Sequence, residues 1–173
     1  MVHFPIALFL VAPILLLVSL FTRQAWRTWA GAALVLMALG TIAVWLTVAS
    51  GHAAGQLVDK TQLLAREIGR HEALGVTTRN LFTILTVVFA ALMLLPTVLH
   101  KSLPLAARIG VHLVFLVVYS GGMLVLGNTA SQGGRLVHAF GVRAMIEQAR
   151  VPVAEPPVGA MTTPAPRVEA KAD

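Results

Sequence analysis

The sequence predicts an all-α fold: an integral membrane four-helix bundle with short interfacial helices and a flexible C-terminal tail. Three observations predict it. Of 173 residues, 57% are hydrophobic and only 12% are charged, about half the charged share of an ordinary soluble domain. Mean hydropathy is +0.82. The apolar residues also gather into four runs of about 20, the length that crosses a hydrocarbon core of roughly 30 Å.

The first run extends from Phe4 to Phe21. Pro5 falls in its first turn, where proline is tolerated, and Pro13 predicts a kink at mid-helix. The opening has no basic leader and no small-residue cleavage pattern, so it reads as a retained span and not as a signal peptide. The second run extends from Trp29 to Ser50, with Trp26 and Trp29 placed as an interfacial belt. The third, Ala73 to Leu99, is disturbed by Pro96, and the fourth covers Leu105 to Leu126.

Two connections are tight turns between antiparallel neighbours, at residues 22–25 and 100–102. The longer stretch from Gly51 to Arg70 alternates Leu57, Val58, Leu63, Leu64 and Ile68 with Asp59, Lys60, Arg66 and Glu67. That pattern predicts a short amphipathic helix on the membrane surface. After the fourth run, residues 128–150 read as a turn and a second interfacial helix. From Val151 the chain is rich in Pro, Ala, Val and Thr, a composition that suits a flexible tail. The organisation is therefore a four-span domain over residues 1–145, followed by the interfacial helix end and tail over 146–173.

Composition excludes several function classes. Net charge is +6, but the basic residues are scattered among connections and tail, which suits membrane anchoring and not nucleic acid. There is no cysteine, hence no disulfide, iron–sulfur cluster, thiolate zinc site or covalent c-type haem. No carboxylate lies inside a run, which argues against a carboxylate proton relay. No Gly-x-Ser-x-Gly, phosphate loop or HExxH is present.

The histidines carry the remaining chemistry. Four crossings return the chain to the face where it began, here face A. His3 opens the first span, His52 follows the second, His71 precedes the third and His138 follows the fourth, so all four belong to face A. His100 closes the third span at the opposite face B. His112 lies about two turns inside the fourth span from face B and is expected to hydrogen-bond a backbone carbonyl. Neutral imidazole is the commonest protein ligand for haem iron and serves zinc and copper equally. A bis-imidazole haem b also needs small residues that let helices part. Gly75 and Thr78 share the helical stripe of His71, Gly121 and Gly122 lie in the fourth span, and Ala7 follows His3 by one turn. Arg79, two turns into the third span, can snorkel to face A or pair with a haem propionate. The bland alternatives are interfacial histidines and glycines that serve helix packing.

Several segments resemble one family. Val2–Leu8, VHFPIAL, is similar to the opening of the DUF2231 family of predicted bacterial membrane proteins. Ser50–Gly51, Ala54–Val58 and the pair His71–Glu72 resemble its middle segment, and Gly133–Val137 its closing GG-x-LV motif. The resemblance covers about Val2 to Val142 and implies four spans. It also implies association with redox partners near the outer face of a bacterial inner membrane, which is context and not mechanism. One departure stands out: where the family pattern carries an aromatic residue and then x-His-Gly, this chain has His138, Phe140 and Gly141.

Arg23, Arg27, Lys101 and Arg108 crowd the short connections of face B, with no acid beside them. The positive-inside rule therefore places face B in the cytoplasm and both termini in the periplasm. The leading expectation is an electron-transfer subunit, not a stand-alone enzyme. It would bind haem b near face A through two of His3, His52, His71 and His138, with His3 and His71 the first choice, and work with other membrane or periplasmic redox subunits. The alternatives are a histidine site for zinc or copper without haem, and a non-catalytic packing subunit of a larger membrane complex.

Overall fold

The computed structural model describes residues 2–56, 62–100 and 104–139. Among them are four helices and no strand: α1 His3–Phe21, α2 Trp26–Gln56, α3 Gln62–Val98 and α4 Leu105–His138. They belong to one compact unit, Met1–Val142. The tail and the expected boundary at residues 145 and 146 lie outside the described residues.

Each helix is long and apolar enough to cross a membrane, yet less than a third of each apolar window is buried by the other helices. Leu46, Val117 and Leu124 point outward at 67%, 73% and 78% exposure. An apolar surface this continuous is not one a soluble monomer presents to water. The chain is a multi-pass membrane protein, and lipid is the solvent of its outer surface.

Two expected features are revised. Residues 51–56 continue α2 and residues 62–70 open α3, so the amphipathic stretch is not a separate surface helix; its middle, residues 57–61, lies outside the described residues. The turn expected after Leu126 is also helical, and α4 runs on to His138. Hydropathy marks where lipid ends, which need not be where the helix ends. Residues 127–134 contain no proline, Thr129 returns its hydroxyl to the Val125 carbonyl at 2.9 Å, and Gly133 seats against His71. The second interfacial helix and Lys101 fall largely or wholly outside the described residues. α3 is closed by His100, whose φ of 53° is the left-handed conformation that commonly ends a helix.

The lengths have a consequence. α2, α3 and α4 contain 31, 37 and 34 residues, hence roughly 47, 56 and 51 Å of helix at 1.5 Å per residue. A hydrocarbon core needs only about 30 Å. The polar residues of the excess, including His52, Gln56, Arg66, Glu67, Glu72, Gln132 and Arg135, all fall at face A. That end of the bundle therefore projects beyond the lipid.

The helices form a ring in which α1 packs on α2 and α4, and α3 packs on α2 and α4. Aromatic side chains fill the centre across the diagonal. Phe9 of α1 stacks on Phe82 of α3 with centroids 4.0 Å apart, and Tyr119 of α4 meets Phe82 edge-on at 5.5 Å. Space for Phe9 comes from Gly40, where a Cβ would stand 2.8 Å from the ring. Pro13 has no N–H to give the Phe9 carbonyl. Tyr119 supplies the missing donor, its hydroxyl reaching that carbonyl at 2.8 Å. In lipid an orphaned backbone carbonyl costs several kcal/mol, so this contact both closes α1 and ties it to α4. Hydroxyl pairs join the other helices: Thr41 with Thr86 at 2.8 Å, and Thr78 with Thr129 at 2.7 Å.

Candidate functional site

The projecting end of the bundle holds every described face-A histidine, but at different heights. Phe9 stacks on Phe82, so His3, six residues before Phe9, stands level with Val76, six before Phe82. His71 is five residues beyond Val76, or roughly 7 Å farther out along the axis. His138 lies five residues beyond Gly133, the partner of His71, and so roughly 7 Å farther out again. Only His52 and His71 share a level.

Between those two stands Glu72. Its Oε1 lies 3.6 Å from His52 Nδ1, and a Cβ on Gly55 would come within 2.8 Å of the same oxygen. Gly55 thus lets α2 approach close enough for His52, one turn earlier, to meet the carboxylate. The other ring nitrogen of His52 pairs with the Gln56 amide at 3.3 Å. The His52 side chain is 63% exposed and that of Glu72 32%, so the pair is open to the outside.

His71 turns the other way, toward α4. A Cβ on Gly133 would stand 3.0 Å from its Cε1, and its buried Nδ1 has no hydrogen-bond partner among the described residues. The stripe expected from spacing holds in part: seven residues on, Thr78 also faces α4 and pairs with Thr129, but Gly75 between them lies against Val48 of α2. Segments far apart in sequence therefore converge, with Gly55 on Glu72 and Gly133 on His71.

This packing bears directly on haem. Two of the small residues expected to part the helices are occupied by helix contacts: Gly75 lies against Val48 and Gly122 against Leu85. Gly121 has nothing within 4 Å of a Cβ and faces outward. His3 and His71 stand on diagonal helices, with His71 roughly 7 Å farther out along the axis. His3 and His138 are exposed. Arg79 is drawn toward α2, its guanidinium 4.0 Å from the Trp45 ring centroid and its Nε donating to Asn80 at 3.1 Å. It stands apart from the face of His71.

The donor geometry suits a single ion better. Two ligands bonded to one tetrahedral ion at 2.0–2.1 Å lie roughly 3.4 Å apart, close to the 3.6 Å between His52 Nδ1 and Glu72 Oε1. No group of three His, Cys, Asp or Glu is gathered among the described residues, so further ligands would be water or a partner's side chain.

Glu72 was visible in the sequence only as the neighbour of His71. Its signal was helical spacing: Ile68 and Glu72 are one turn apart, and both meet Gly55. His112 behaves as expected. It is buried at 4% exposure and its Nδ1 hydrogen-bonds the Arg108 carbonyl at 2.8 Å. His100 is exposed at face B.

No curated protein matches the chain, and no solved structure does. One family model, described as a predicted membrane protein, matches residues 1–145, the same stretch that holds all four helices and the segments meeting at His71 and Glu72. On that match, the chain belongs to the DUF2231 family of predicted membrane proteins.

Proposed function

We propose that the chain is a subunit of a membrane redox assembly and holds a transition-metal ion at the His52–Glu72 end of its bundle. One observation carries this reading: an open imidazole and a carboxylate from neighbouring helices, spaced like two ligands of one ion. His52 and Glu72 would bind the ion, and Gly55 keeps their helices close. His71, one residue away, turns toward α4 against Gly133 and stands outside the pair. Copper would let the site exchange an electron with a partner, whereas zinc would make it structural. The redox role itself rests on the context that the family resemblance implies. The same context, with the basic face B, orients face A toward the periplasm of a bacterial inner membrane.

Titration of copper or zinc into metal-stripped chain tests this. Saturable binding that weakens at least tenfold in His52→Ala and Glu72→Gln supports it, and binding indifferent to both substitutions refutes it. Haem b held by His3 and His71 is the other redox form of the proposal, and a Soret band in the purified protein is its signature.

A second reading, a non-catalytic packing subunit, has an observation of its own. Gly40, Gly55, Gly122 and Gly133 are all filled by side chains of this chain, as in a bundle built for close association. A chain that binds no metal or haem and is recovered only with partner subunits would establish it.

A further inference from the structure

Arg79 places a guanidinium at the edge of the spanning part of α3. From Arg79 to Val98, where α3 ends, the helix rises about 30 Å, the full thickness of a hydrocarbon core. α1 marks the same edge: it begins at His3, level with Val76, which is three residues or roughly 4–5 Å outside Arg79. Arg79 therefore lies at the headgroup level of face A, where lipid gives way to water.

The contacts that hold it are with neutral groups. The guanidinium stands 4.0 Å from the Trp45 ring centroid, and its Nε–H donates to the Asn80 side-chain oxygen at 3.1 Å. Trp45 is fixed in turn: its indole N–H reaches the Thr83 hydroxyl at 3.1 Å, which donates to the Arg79 carbonyl at 2.7 Å. Among the described residues no carboxylate pairs with Arg79. Glu72, the nearest acid along α3, is about two turns farther out and meets His52. A cation at the edge of hydrocarbon with no counter-charge is costly, and an anion beside it removes that cost. With Nε engaged by Asn80, the two terminal nitrogens present one planar edge that fits two oxygens of a single phosphate. One side chain supplies both donors. Toward the bilayer centre the adjoining surface is apolar, with Ile42, Ile84 and Val87 exposed, where acyl chains would lie. Trp45, itself half exposed, sits at the boundary that tryptophan favours.

We infer that Arg79, braced by Trp45 and Asn80, binds the phosphate of an anionic phospholipid in the leaflet at face A. Free phosphate offers the same oxygens but no chains for the surface of Ile42 and Ile84, so the lipid is the ligand. The site shares no residue with the metal proposal and stands or falls without it.

The test reads Trp45 directly. Trp26→Phe/Trp29→Phe removes the other two tryptophans, both near face B, and leaves Trp45 as the only indole of the full chain. Phosphatidylglycerol with chains brominated near the headgroup quenches a tryptophan that it touches. Titrated into this protein in neutral detergent, it is expected to quench Trp45 saturably. A neutral glycosyl diacylglycerol with the same chains is expected to need a several-fold higher mole fraction, and excess inorganic phosphate to leave the quenching in place. Arg79→Gln should raise the phosphatidylglycerol needed for half-quenching about fivefold, the worth of one basic residue at an anionic membrane surface. Arg108→Gln, at face B, should not change it. Equal quenching by the glycolipid, an unchanged midpoint in Arg79→Gln, or displacement by phosphate would each overturn the inference. If either background fails to fold, native mass spectrometry of the unaltered chain makes the same comparison between the two lipids, with phosphate as competitor.

Discussion

The Tyr119 hydroxyl donates to the Phe9 carbonyl over 2.8 Å, and that carbonyl is the one Pro13 deprives of its helical donor. A proline inside α1 is thus compensated from α4, a helix met only at the end of the domain. Tyr119→Phe removes the donor and leaves a buried carbonyl unsatisfied, which costs about 1–3 kcal/mol. Pro13→Ala restores an N–H within α1, so the same Tyr119→Phe change should cost less in that background. A double-mutant cycle in mixed micelles reads the coupling, expected above about 0.5 kcal/mol for groups in one network. Equal costs in both backgrounds would detach Pro13 from Tyr119.

The glycines divide by what surrounds them. A methyl at Gly40 would meet Phe9 at 2.8 Å and disturb the Phe9–Phe82 stack, so Gly40→Ala should destabilise by about 1–3 kcal/mol, as overpacking does. Gly121 has open space around it. Gly121→Ala should be neutral or stabilise by up to about 1 kcal/mol, because alanine favours helix over glycine. Melting temperatures check the order, and a Gly40→Ala protein as stable as Gly121→Ala would contradict the packing.

The Thr78–Thr129 pair joins α3 to α4 below the His71–Gly133 contact, about two turns along α3 and one along α4. Thr129 also approaches the Val125 carbonyl at 2.9 Å, so when it donates there Thr78 is the donor to Thr129. Thr78→Val should therefore cost only about 0.6 kcal/mol, the usual worth of a hydrogen bond between membrane helices. A loss of several kcal/mol in the same micelle assay would mean that the pair holds the bundle end together.

The chain has no cysteine, which makes single cysteines clean reporters of threading. Ser50→Cys and Ser131→Cys stand at face A, and Gln24→Cys stands in the α1–α2 turn at face B; all three positions are exposed. An impermeant maleimide added to intact cells should label the first two from the periplasm and spare Gln24→Cys. Labelling of Gln24→Cys alone would invert the proposed orientation. Labelling that separates Ser50→Cys from Ser131→Cys would break the even count of crossings.

The number of helices was legible because apolar runs of spanning length are hard to mistake, as was the turn at residues 22–25. The helix ends were not. Hydropathy falls at Ser50 and Leu126, where lipid stops, while backbone hydrogen bonding carries α2 to Gln56 and α4 to His138. The side of the membrane reached by each histidine followed from counting crossings, but height along the bundle did not. Height depends on register, and register is set by contacts such as Phe9 on Phe82 and Gly133 on His71. The pairing of Glu72 with His52 escaped notice because His52 comes from the far end of another helix, through a glycine whose neighbour only packing reveals.

The most direct test is the metal content and visible spectrum of the purified full chain beside His52→Ala, Glu72→Gln and His71→Ala. The account predicts about one transition-metal ion per chain, bound tightly enough to survive purification. It predicts loss of that ion in His52→Ala and Glu72→Gln, with helix content unchanged and melting like that of the metal-stripped unaltered chain, and no Soret band in any sample. Metal that persists in both variants, or a chain that carries none, would contradict the His52–Glu72 site; a Soret band abolished by His3→Ala would return the chemistry to a haem between α1 and α3.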